Sequence, residues 1–180
     1  MNQPRITRPR FPKGHVEDPQ SLLPWRHMQQ RLVEARNYWL CTVRPNGHPH
    51  VVPKWGVWVE GRLYFDGSPD TRHARNIAEN PAVVLHLESG DDVVILEGVC
   101  TACGKPAGRL GVKVARAYTA KYAALGYAPA PDQWDNGGLF EISPHVALPW
   151  DDCLPSRPGS YSMGNEQGQF FISTYPTIRL

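Results

Sequence analysis

Residues 38–66 read YWLCTVRPNGHPHVVPKWGVWVEGRLYFD, and this segment carries the pattern of a small antiparallel sheet. Runs of aromatic and β-branched residues alternate with turn-forming residues, as in strands that are joined by short hairpins. Asn46-Gly47 predicts one tight turn and Glu60-Gly61 another. The segment therefore predicts consecutive strands at 38–43, 50–59 and 62–66.

The flanking sequence adds helices and further strands. Pro53 or Gly56 is expected to bend or bulge the strand at 50–59. A helix is predicted to start at Pro24, with Trp25, Met28, Leu32 and Ala35 on one face, and others at 68–80 and 110–125. The remaining predicted strands are 82–88, 93–102, 139–143 and 145–150. This pattern of six or seven strands with interspersed helices predicts a small antiparallel barrel with helices packed outside it.

The composition favours a single β-rich domain. The chain has 180 residues with 18 prolines and 16 glycines, which suits many short strands better than a helical bundle. Its 19 Lys+Arg and 17 Asp+Glu give a net charge of +2, so the charge does not favour nucleic acid or an anionic membrane as a partner. No apolar run is long enough to span a bilayer. The 4 cysteines are too few for a disulfide scaffold, which favours a cytoplasmic location.

Three regions differ in composition. Residues 1–20 contain Arg5, Arg8, Arg10 and Lys13 with little apolar periodicity, and are predicted to form an extended basic arm. Residues 154–180 are rich in Ser, Gly, Pro, Gln and Tyr and are predicted to form a polar tail. The folded domain is therefore expected at 21–153.

The predicted helix at 68–80, SPDTRHARNIAEN, carries unusual charges at its start. Ser68 suits the N-cap position. Arg72, His73 and Arg75 follow in the first two turns, where positive charge opposes the helix dipole. A bound anion would supply the missing negative charge, because free N–H groups, a hydroxyl and an arginine fork are what phosphate oxygens require. The alternative is that the arginines are solvated, or paired with Asp66, Asp70 or Glu79.

Histidine and cysteine pairs suggest metal or redox sites, but plainer explanations are favoured. His48 and His50 could ligate a metal from one face of a strand, yet no third ligand is evident and a polar strand end is predicted. Cys100 and Cys103 form one CxxC motif at the end of a strand, without a second such pair. A structural role is predicted for both cysteines.

Trp55 and Trp58 could each line a flat ligand. They lie three residues apart, so on a regular strand they are expected to face opposite sides, and core packing is the commoner fate of such residues.

No Rossmann or P-loop phosphate motif and no HExxH or GxSxG motif is present. The residues alone therefore mark neither a nucleophile nor a catalytic base.

Four motifs between residues 38 and 99 occur in a specific order. They are TVRPNGHP at 42–49, WGVW at 55–58, TRHARNIAENP at 71–81 and Glu97-Gly98. Each motif is weak by itself. In this order they closely resemble the pyridoxamine 5'-phosphate oxidase-like family of flavin-binding split barrels, and especially its small actinobacterial branch that binds FMN or a deazaflavin analogue. The later helix and the PHVALPWD segment at 144–151 match more loosely.

The resemblance implies a mainly β fold with flanking helices, in the form of a six-stranded antiparallel split β-barrel. It also implies a homodimer with FMN between the subunits, and a flavin-dependent oxidoreductase that acts on a small-molecule redox substrate. Thr71 and Arg72 match the positions that grip the phosphate. The full set of expected cofactor-binding residues is His50, Val51, Val52, Pro53, Lys54, Trp55, Asp66, Gly67, Ser68, Thr71, Arg72, His73 and Arg75.

One residue departs from the family pattern, and two alternatives to FMN stay open. His73 stands where many members have lysine, and a neutral histidine carries no fixed charge at pH 7. Arg75 or Lys54 would then have to substitute. The cofactor could instead be the deazaflavin coenzyme F420, with the basic arm folded over its acidic tail. A protein that binds flavin or haem without turnover is the other alternative, with His50, His73 or His86 as an axial haem ligand.

Overall fold

The computed structural model describes residues 3–7, 23–90, 92–106, 108–151, 163–164 and 170–171. In chain order the elements are β1 (Arg5–Ile6), α1 (Trp25–Glu34), β2 (Tyr38–Val43), β3 (Pro49–Lys54), β4 (Val57–Val59), β5 (Arg62–Asp66), α2 (Arg72–Glu79), β6 (Ala82–His86), β7 (Asp92–Ala102), α3 (Leu110–Tyr122), β8 (Leu139–Asp151), β9 (Met163–Gly164) and β10 (Phe170–Phe171). A short 3-10 helix, Ala123–Leu125, continues α3. The described part of the chain is mainly β with flanking helices, which confirms the predicted fold class.

Seven strands form an antiparallel sheet that curls back on itself. Their order is β3-β2-β6-β7-β8-β5-β4, so β3 and β4 lie at opposite ends of the sheet although they are consecutive in sequence. Only Trp55 and Gly56 join them, and a link of this length spans at most about 11 Å. The two edges therefore approach each other, and the sheet has the curled form of a split barrel.

The single strand predicted at 50–59 is divided in the structure. It becomes β3 and β4, which is why the antiparallel part of the sheet has seven strands where the resemblance implied six. Gly56 lies at the break, and a Cβ atom at this position would lie 2.9 Å from the Tyr64 carbonyl oxygen. Pro53 does not break the chain, because it lies in β3, an edge strand that tolerates a residue without an N–H group.

The two strands predicted after residue 138 are a single strand, β8, that contains a bulge. The pairing of β7 with β8 shifts between Glu97 and Gly98, which leaves His145 as an extra residue. A Cβ atom on Gly98 would lie only 2.6 Å from the Ser143 carbonyl oxygen, so this close approach requires glycine. The other edge of β8 pairs with β5 before the bulge and with β1, in parallel, after it. The bulge therefore marks where that edge passes from one partner to the next.

Two apolar clusters lie on opposite faces of the sheet. Leu63 and Phe65 of β5 belong to the inner cluster and Tyr64 to the outer one, as the alternation of a strand requires. The inner cluster includes Trp25, Met28 and Leu32 of α1, Ala74 and Ile77 of α2, and Leu40, Leu85 and Leu96 of the sheet. The outer cluster includes Val114, Tyr118 and Tyr122 of α3 with Val57 and Trp134. The helices α1 and α2 thus pack against the inside of the curled sheet, and α3 packs against the outside.

Lys121 of α3 connects α1 to the break between β3 and β4. Its Nζ donates to the carbonyl oxygens of Ala35 at 2.9 Å and Gly56 at 3.3 Å, and to the Tyr38 hydroxyl at 2.8 Å. Because α1 ends at Glu34, the bond to Ala35 pairs a carbonyl that the helix end leaves free. Burial lowers the pKa of Lys121 to about 8. We call these contacts the Lys121 clasp.

The two terminal segments are described only in part. In the segment 1–20, Arg5 and Ile6 form β1 beside β8, whereas Arg8, Arg10 and Lys13 lie outside the described residues. In the segment 154–180, β9 and β10 pair with each other. The division at residues 20 and 153 stays a prediction. Within the described ranges, no helix is long and apolar enough to cross a membrane.

Candidate functional site

The helix α2 begins at Arg72, and its N-cap is Thr71 rather than the predicted Ser68. The Thr71 hydroxyl accepts a hydrogen bond from the Ala74 N–H at 3.4 Å and donates to the Ser68 carbonyl oxygen at 2.9 Å. Ser68 instead accepts a bond from the Asp70 N–H at 3.1 Å, which forms a turn before the helix. Asp70 consequently lies outside the helix, and the first turn of α2 contains no acidic residue.

Arg72 and Arg75 lie at this helix start without acidic partners. Both side chains are exposed, and within the described ranges neither forms an ion pair or a hydrogen bond through its guanidinium group. The pairing with Asp66, Asp70 or Glu79 that the sequence left open is therefore not formed. Solvation is the remaining alternative to a bound anion.

Lys54 and His73 converge on Gly67 beside the helix start. A Cβ atom on Gly67 would lie 3.3 Å from Lys54 Nζ and 3.5 Å from His73 Nε2. Both side-chain ends therefore lie close to Gly67. The Gly67 N–H donates to the Gly138 carbonyl oxygen at 2.9 Å, which holds the Gly67 backbone in place.

His73 is buried, with only 6% of its surface exposed. Its Nε2 lies 3.1 Å from Thr71 Oγ1, and we assign Nε2 as the donor because Thr71 uses its single proton for Ser68. Burial, the Lys54 ammonium and His50, in this order of size, lower the pKa of His73 to about 4. The imidazole is therefore neutral at pH 7 in the free protein.

Lys54 has neither a hydrogen bond nor an ion pair through Nζ in the part of the chain that the structure describes. The ammonium lies 5.4 Å from the centroid of the Phe65 ring, in a cation–π contact. Burial lowers the pKa of Lys54, and the smaller effect of Asp66 raises it. A half-buried ammonium with unused donors can accept an anionic partner at little additional desolvation cost.

The strand β3 presents the predicted cofactor residues on two faces. His50, Val52 and Lys54 are half-buried, and Val52 packs against the inner cluster. Val51 and Pro53 are exposed on the outer face, as the alternation of a strand requires. Through their side chains, only the first three of these residues can share a site with α2.

A buried hydrogen-bond chain that the sequence did not reveal connects α2 to β3. Asn76, which is fully buried, donates to Thr42 Oγ1 at 2.9 Å. The Thr42 hydroxyl lies 3.4 Å from the His50 carbonyl oxygen and donates to it. The available signal was that Asn76 shares the apolar stripe of the helix with His73 and Ile77. These hydrogen bonds fix the start of α2 relative to β3, the strand that carries Lys54.

A second connection holds Asp66, the residue next to Gly67. The Tyr127 hydroxyl donates to Asp66 Oδ2, and burial together with this bond raises the pKa of Tyr127. The Tyr127 ring lies 6.2 Å from Trp55, which stacks on Tyr122 at 4.8 Å. No local pattern marks Tyr127, because its contacts are made by residues far away in sequence.

The other candidate residues lie apart from this site or show structural roles. Trp58 packs on Trp25 and not with Trp55, so the two tryptophans face opposite sides as predicted. Among the described residues no group of three or more His, Cys, Asp or Glu could hold a metal. Burial raises the pKa of Cys100 to about 12 and that of Cys103 to about 11, which disfavours reactive thiolates.

His86 is separated from His50 and His73. Its ring stacks on Trp39 with the centroids 6.3 Å apart, and its Nδ1 lies 2.8 Å from the Leu87 carbonyl oxygen. The pairing of Trp39 with Pro53 and with His86 places His86 on the outer face of the sheet. The three histidines therefore do not form one site.

Comparison with known families gives a match over most of the described chain. The family model described as pyridoxamine 5'-phosphate oxidase matches residues 25–150, from the start of α1 almost to the end of β8. This range contains Lys54, Gly67, His73 and the whole of α2. No curated protein matches the chain.

Solved structures with the same fold include several bacterial proteins. A conserved hypothetical protein from Mycobacterium tuberculosis has a TM-score of 0.61 and 23% identity, over 81% of this chain and 95% of that one. HutZ, the haem storage protein from Vibrio cholerae, has a TM-score of 0.51 and 20% identity, over 67% of this chain and 89% of that one. An F420 reductase shares 25% identity over 66% of this chain and 94% of that one, with a TM-score of 0.49, too low a similarity to bear on function. At these identities the first two likenesses show the fold.

Proposed function

Because the chain belongs to the pyridoxamine 5'-phosphate oxidase family, we propose that it is an FMN-dependent oxidoreductase that acts on a small-molecule redox substrate. The bound flavin would supply the hydride chemistry. The protein would bind the cofactor non-covalently, orient its ring and hold its phosphate at the start of α2.

The unpaired positive charge around the start of α2 is the observation that carries this proposal. Arg72 and Arg75 have exposed guanidinium groups without acidic partners in the described ranges. Cations near a helix N-terminus are unfavourable by about 0.3–1 kcal/mol each. A phosphate at this position would offset this unfavourable energy, because it would contact both the cations and the free N–H groups of the first turn.

The side chains around the helix start fit a phosphate group. Arg72 supplies a guanidinium and Lys54 an ammonium, and neither forms an ion pair among the described residues, so both can donate to phosphate oxygens. The bond between Asn76 and Thr42 fixes this group relative to β3, the strand that contains the expected cofactor-binding residues from His50 to Lys54. Asp66 is held by Tyr127 at the entrance to the same turn.

Replacing Arg72 by alanine should weaken FMN binding by about 1–3 kcal/mol, the range for a lost charge-assisted hydrogen bond. Riboflavin, which has the same ring without the phosphate, should bind the wild type and the variant equally. Titration of flavin fluorescence measures both affinities. Arg26→Ala is the control, since Arg26 is an exposed arginine of α1 outside the site. An unchanged FMN affinity would exclude this phosphate site, and a wild type that binds no flavin would exclude the proposed function.

A second subunit would complete the cofactor site. Proteins of this family are commonly flavin-binding dimers. Val43, Val51 and Val99 are 38%, 47% and 41% exposed, and the strand pairing places all three on the outer face of β3, β2, β6 and β7. Exposed apolar side chains grouped on one sheet face are typical of an interface. We therefore propose a homodimer that packs through this face, with FMN at the boundary between the subunits.

Val51→Lys should convert the dimer into a monomer, because association would bury an unpaired charge against an apolar surface. Sedimentation velocity at several protein concentrations measures the change. Val112→Lys is the matched control, since Val112 is 52% exposed on α3, away from the outer face of β3. A monomeric wild type, or a Val51 variant that stays dimeric, would contradict this interface.

Coenzyme F420 is the second candidate cofactor, and the number of unpaired cations favours it. Arg44 is exposed and, like Arg72 and Arg75, has no ion pair in the described ranges. Burial, then Arg44 and Arg72, lower the pKa of His50, so these charges act on one region. An acidic tail would balance more of this charge than one phosphate does. Mass spectrometry of the cofactor that co-purifies decides between FMN and coenzyme F420, and a co-purifying haem would exclude both.

A further inference from the structure

Five aromatic side chains of the outer cluster contact each other without a gap. They are Trp55, Tyr118, Tyr122, Tyr127 and Trp134, and we call them the aromatic network. The centroids of neighbouring rings lie between 4.8 and 6.2 Å apart. Electrons cross such short gaps between aromatic rings readily, so an electron that one ring loses can be replaced from the next.

Tyr127 differs from the other members of the network because its hydroxyl donates to a carboxylate, that of Asp66. We propose that Tyr127 is a redox-active tyrosine, which replaces an electron lost from Trp55 and transfers its hydroxyl proton to Asp66 Oδ2. The electron leaves Trp55 for a one-electron oxidant, of which a photoexcited flavin is one example. The products are the reduced oxidant, an intact Trp55, a neutral Tyr127 radical and a protonated Asp66.

The hydrogen-bond partner determines which tyrosine of the network can give up an electron. Burial raises the pKa of Tyr118, Tyr122 and Tyr127, so these phenols hold their protons at neutral pH. A phenol that loses an electron becomes a strong acid, and its oxidation is favourable where a base within hydrogen-bond reach takes the proton. The hydroxyls of Tyr118 and Tyr122 donate to backbone carbonyl oxygens, which are very weak bases. The carboxylate of Asp66 makes Tyr127 the most easily oxidised of the three.

Trp55 is the point at which an oxidant enters the network. Its side chain is half-buried, whereas Tyr118, Tyr122 and Trp134 are buried. The Tyr127 ring lies directly beside it, with the centroids 6.2 Å apart. A tyrosine that can release its proton reduces an oxidised tryptophan, so the electron passes from Tyr127 to Trp55 and not in the reverse direction. Trp55 is thereby restored, and the oxidising equivalent stays on Tyr127.

Tyr64 offers a matched control within the same chain. Its hydroxyl donates to Glu141 Oε2 at 2.7 Å, so it also has a carboxylate that could take its proton. Its ring forms no contact with another aromatic ring in the part of the chain that the structure describes. Tyr127 combines both features, a proton acceptor and a ring contact with Trp55.

The test produces the oxidant without any flavin, by flash photolysis of a ruthenium polypyridyl complex with persulfate as the electron acceptor. Transient absorption distinguishes tryptophanyl from tyrosyl radicals. In the wild type, the tryptophanyl signal should decay as a tyrosyl signal appears, and more slowly in heavy water, because a proton moves in the same step. Tyr127→Phe should lose most of the tyrosyl signal and prolong the tryptophanyl signal. Tyr64→Phe should behave as the wild type does.

Asp66→Asn tests the proton acceptor separately. The amide oxygen can still accept the hydrogen bond from Tyr127, but it is not a base that takes up the proton. Tyrosyl formation should therefore be slower in this variant, and its dependence on heavy water should be lost. Chemical denaturation of each variant checks that it is folded, and the heavy-water measurement on the wild type needs no substitution.

The outcomes separate this inference from the proposed function. A wild type that forms no tyrosyl radical, or a Tyr127→Phe variant with an undiminished tyrosyl signal, would overturn the redox role of Tyr127. If Asp66→Asn matches the wild type in rate and in its response to heavy water, Asp66 is not the proton acceptor and the proposed step is wrong. Since these measurements use no flavin, their failure leaves the FMN titrations as an independent test of the proposed function.

Discussion

Replacing Gly98 by alanine is expected to lower the free energy of unfolding by about 3 kcal/mol, among the larger effects of a single substitution. The new Cβ would lie 2.6 Å from the Ser143 carbonyl oxygen and 3.1 Å from Pro144 Cα. Both are backbone atoms of β8, so no side-chain rotation can relieve the contact. The bulge would have to shift, and β8 would then lose its alignment with β1 as well as with β7. Denaturation by urea, followed by tryptophan fluorescence, measures the change.

Gly90→Ala provides the control for this substitution. A Cβ on Gly90 would meet no atom within 4 Å, so its effect should stay within about 0.5 kcal/mol. Equal stabilities for the Gly98 variant and the wild type would contradict the bulge at His145.

Replacing Lys121 by methionine is expected to cost about 2–3 kcal/mol. The substitution keeps the apolar stem and removes the donor to Ala35, Gly56 and Tyr38, so the carbonyl at the end of α1 loses its partner in a half-buried position. The cost is reduced because the wild type must also desolvate the ammonium. Lys113→Met, on the same helix, removes only an exposed pair with Glu60 and should change stability by less than about 1 kcal/mol.

The pH dependence of the free energy of unfolding tests whether the Lys121 clasp causes this loss of stability. The folded pKa of Lys121 is about 8, below the ordinary value of about 10.4. Between these values the unfolded chain binds more protons, so this residue makes the free energy of unfolding rise with pH. The stability difference between the wild type and Lys121→Met should therefore widen from pH 8 to 9.5. A constant difference over this interval would show that the ammonium titrates normally in the folded protein.

The sequence predicts most of the strands because turn residues mark their ends. The strands at 38–43 and 62–66 coincide with β2 and β5, each bounded by residues with a clear preference for turns. The division at Trp55-Gly56 was harder to foresee, because there the chain passes from one edge of the sheet to the other and only the pairing reveals it. Pro144 suggested a strand end, yet it lies in a bulge where a proline is tolerated.

The candidate site was predictable where its signal is local. Arg72, His73 and Arg75 stand out by their position on one short helix. The N-cap was predicted at Ser68 and not at Thr71, because Ser-Pro-Asp is a favourable helix start. The proximity of Lys54 to His73 is different, since it depends on how β3 and α2 pack. The contact of Tyr127 with Asp66 joins residues that are 61 positions apart. Such contacts are determined by the fold and leave no local pattern.

The link formed by Trp55 and Gly56 restricts where this chain can change in length during evolution. The hairpins at Asn46-Gly47 and Glu60-Gly61 each connect two strands that pair directly with each other. Residues inserted there would enlarge a loop and leave the strand pairing intact. An insertion between Trp55 and Gly56 would instead release the two edges of the sheet from each other. It would also move Lys54 away from Gly67. We therefore expect related chains to vary in length at the turns and not at this junction.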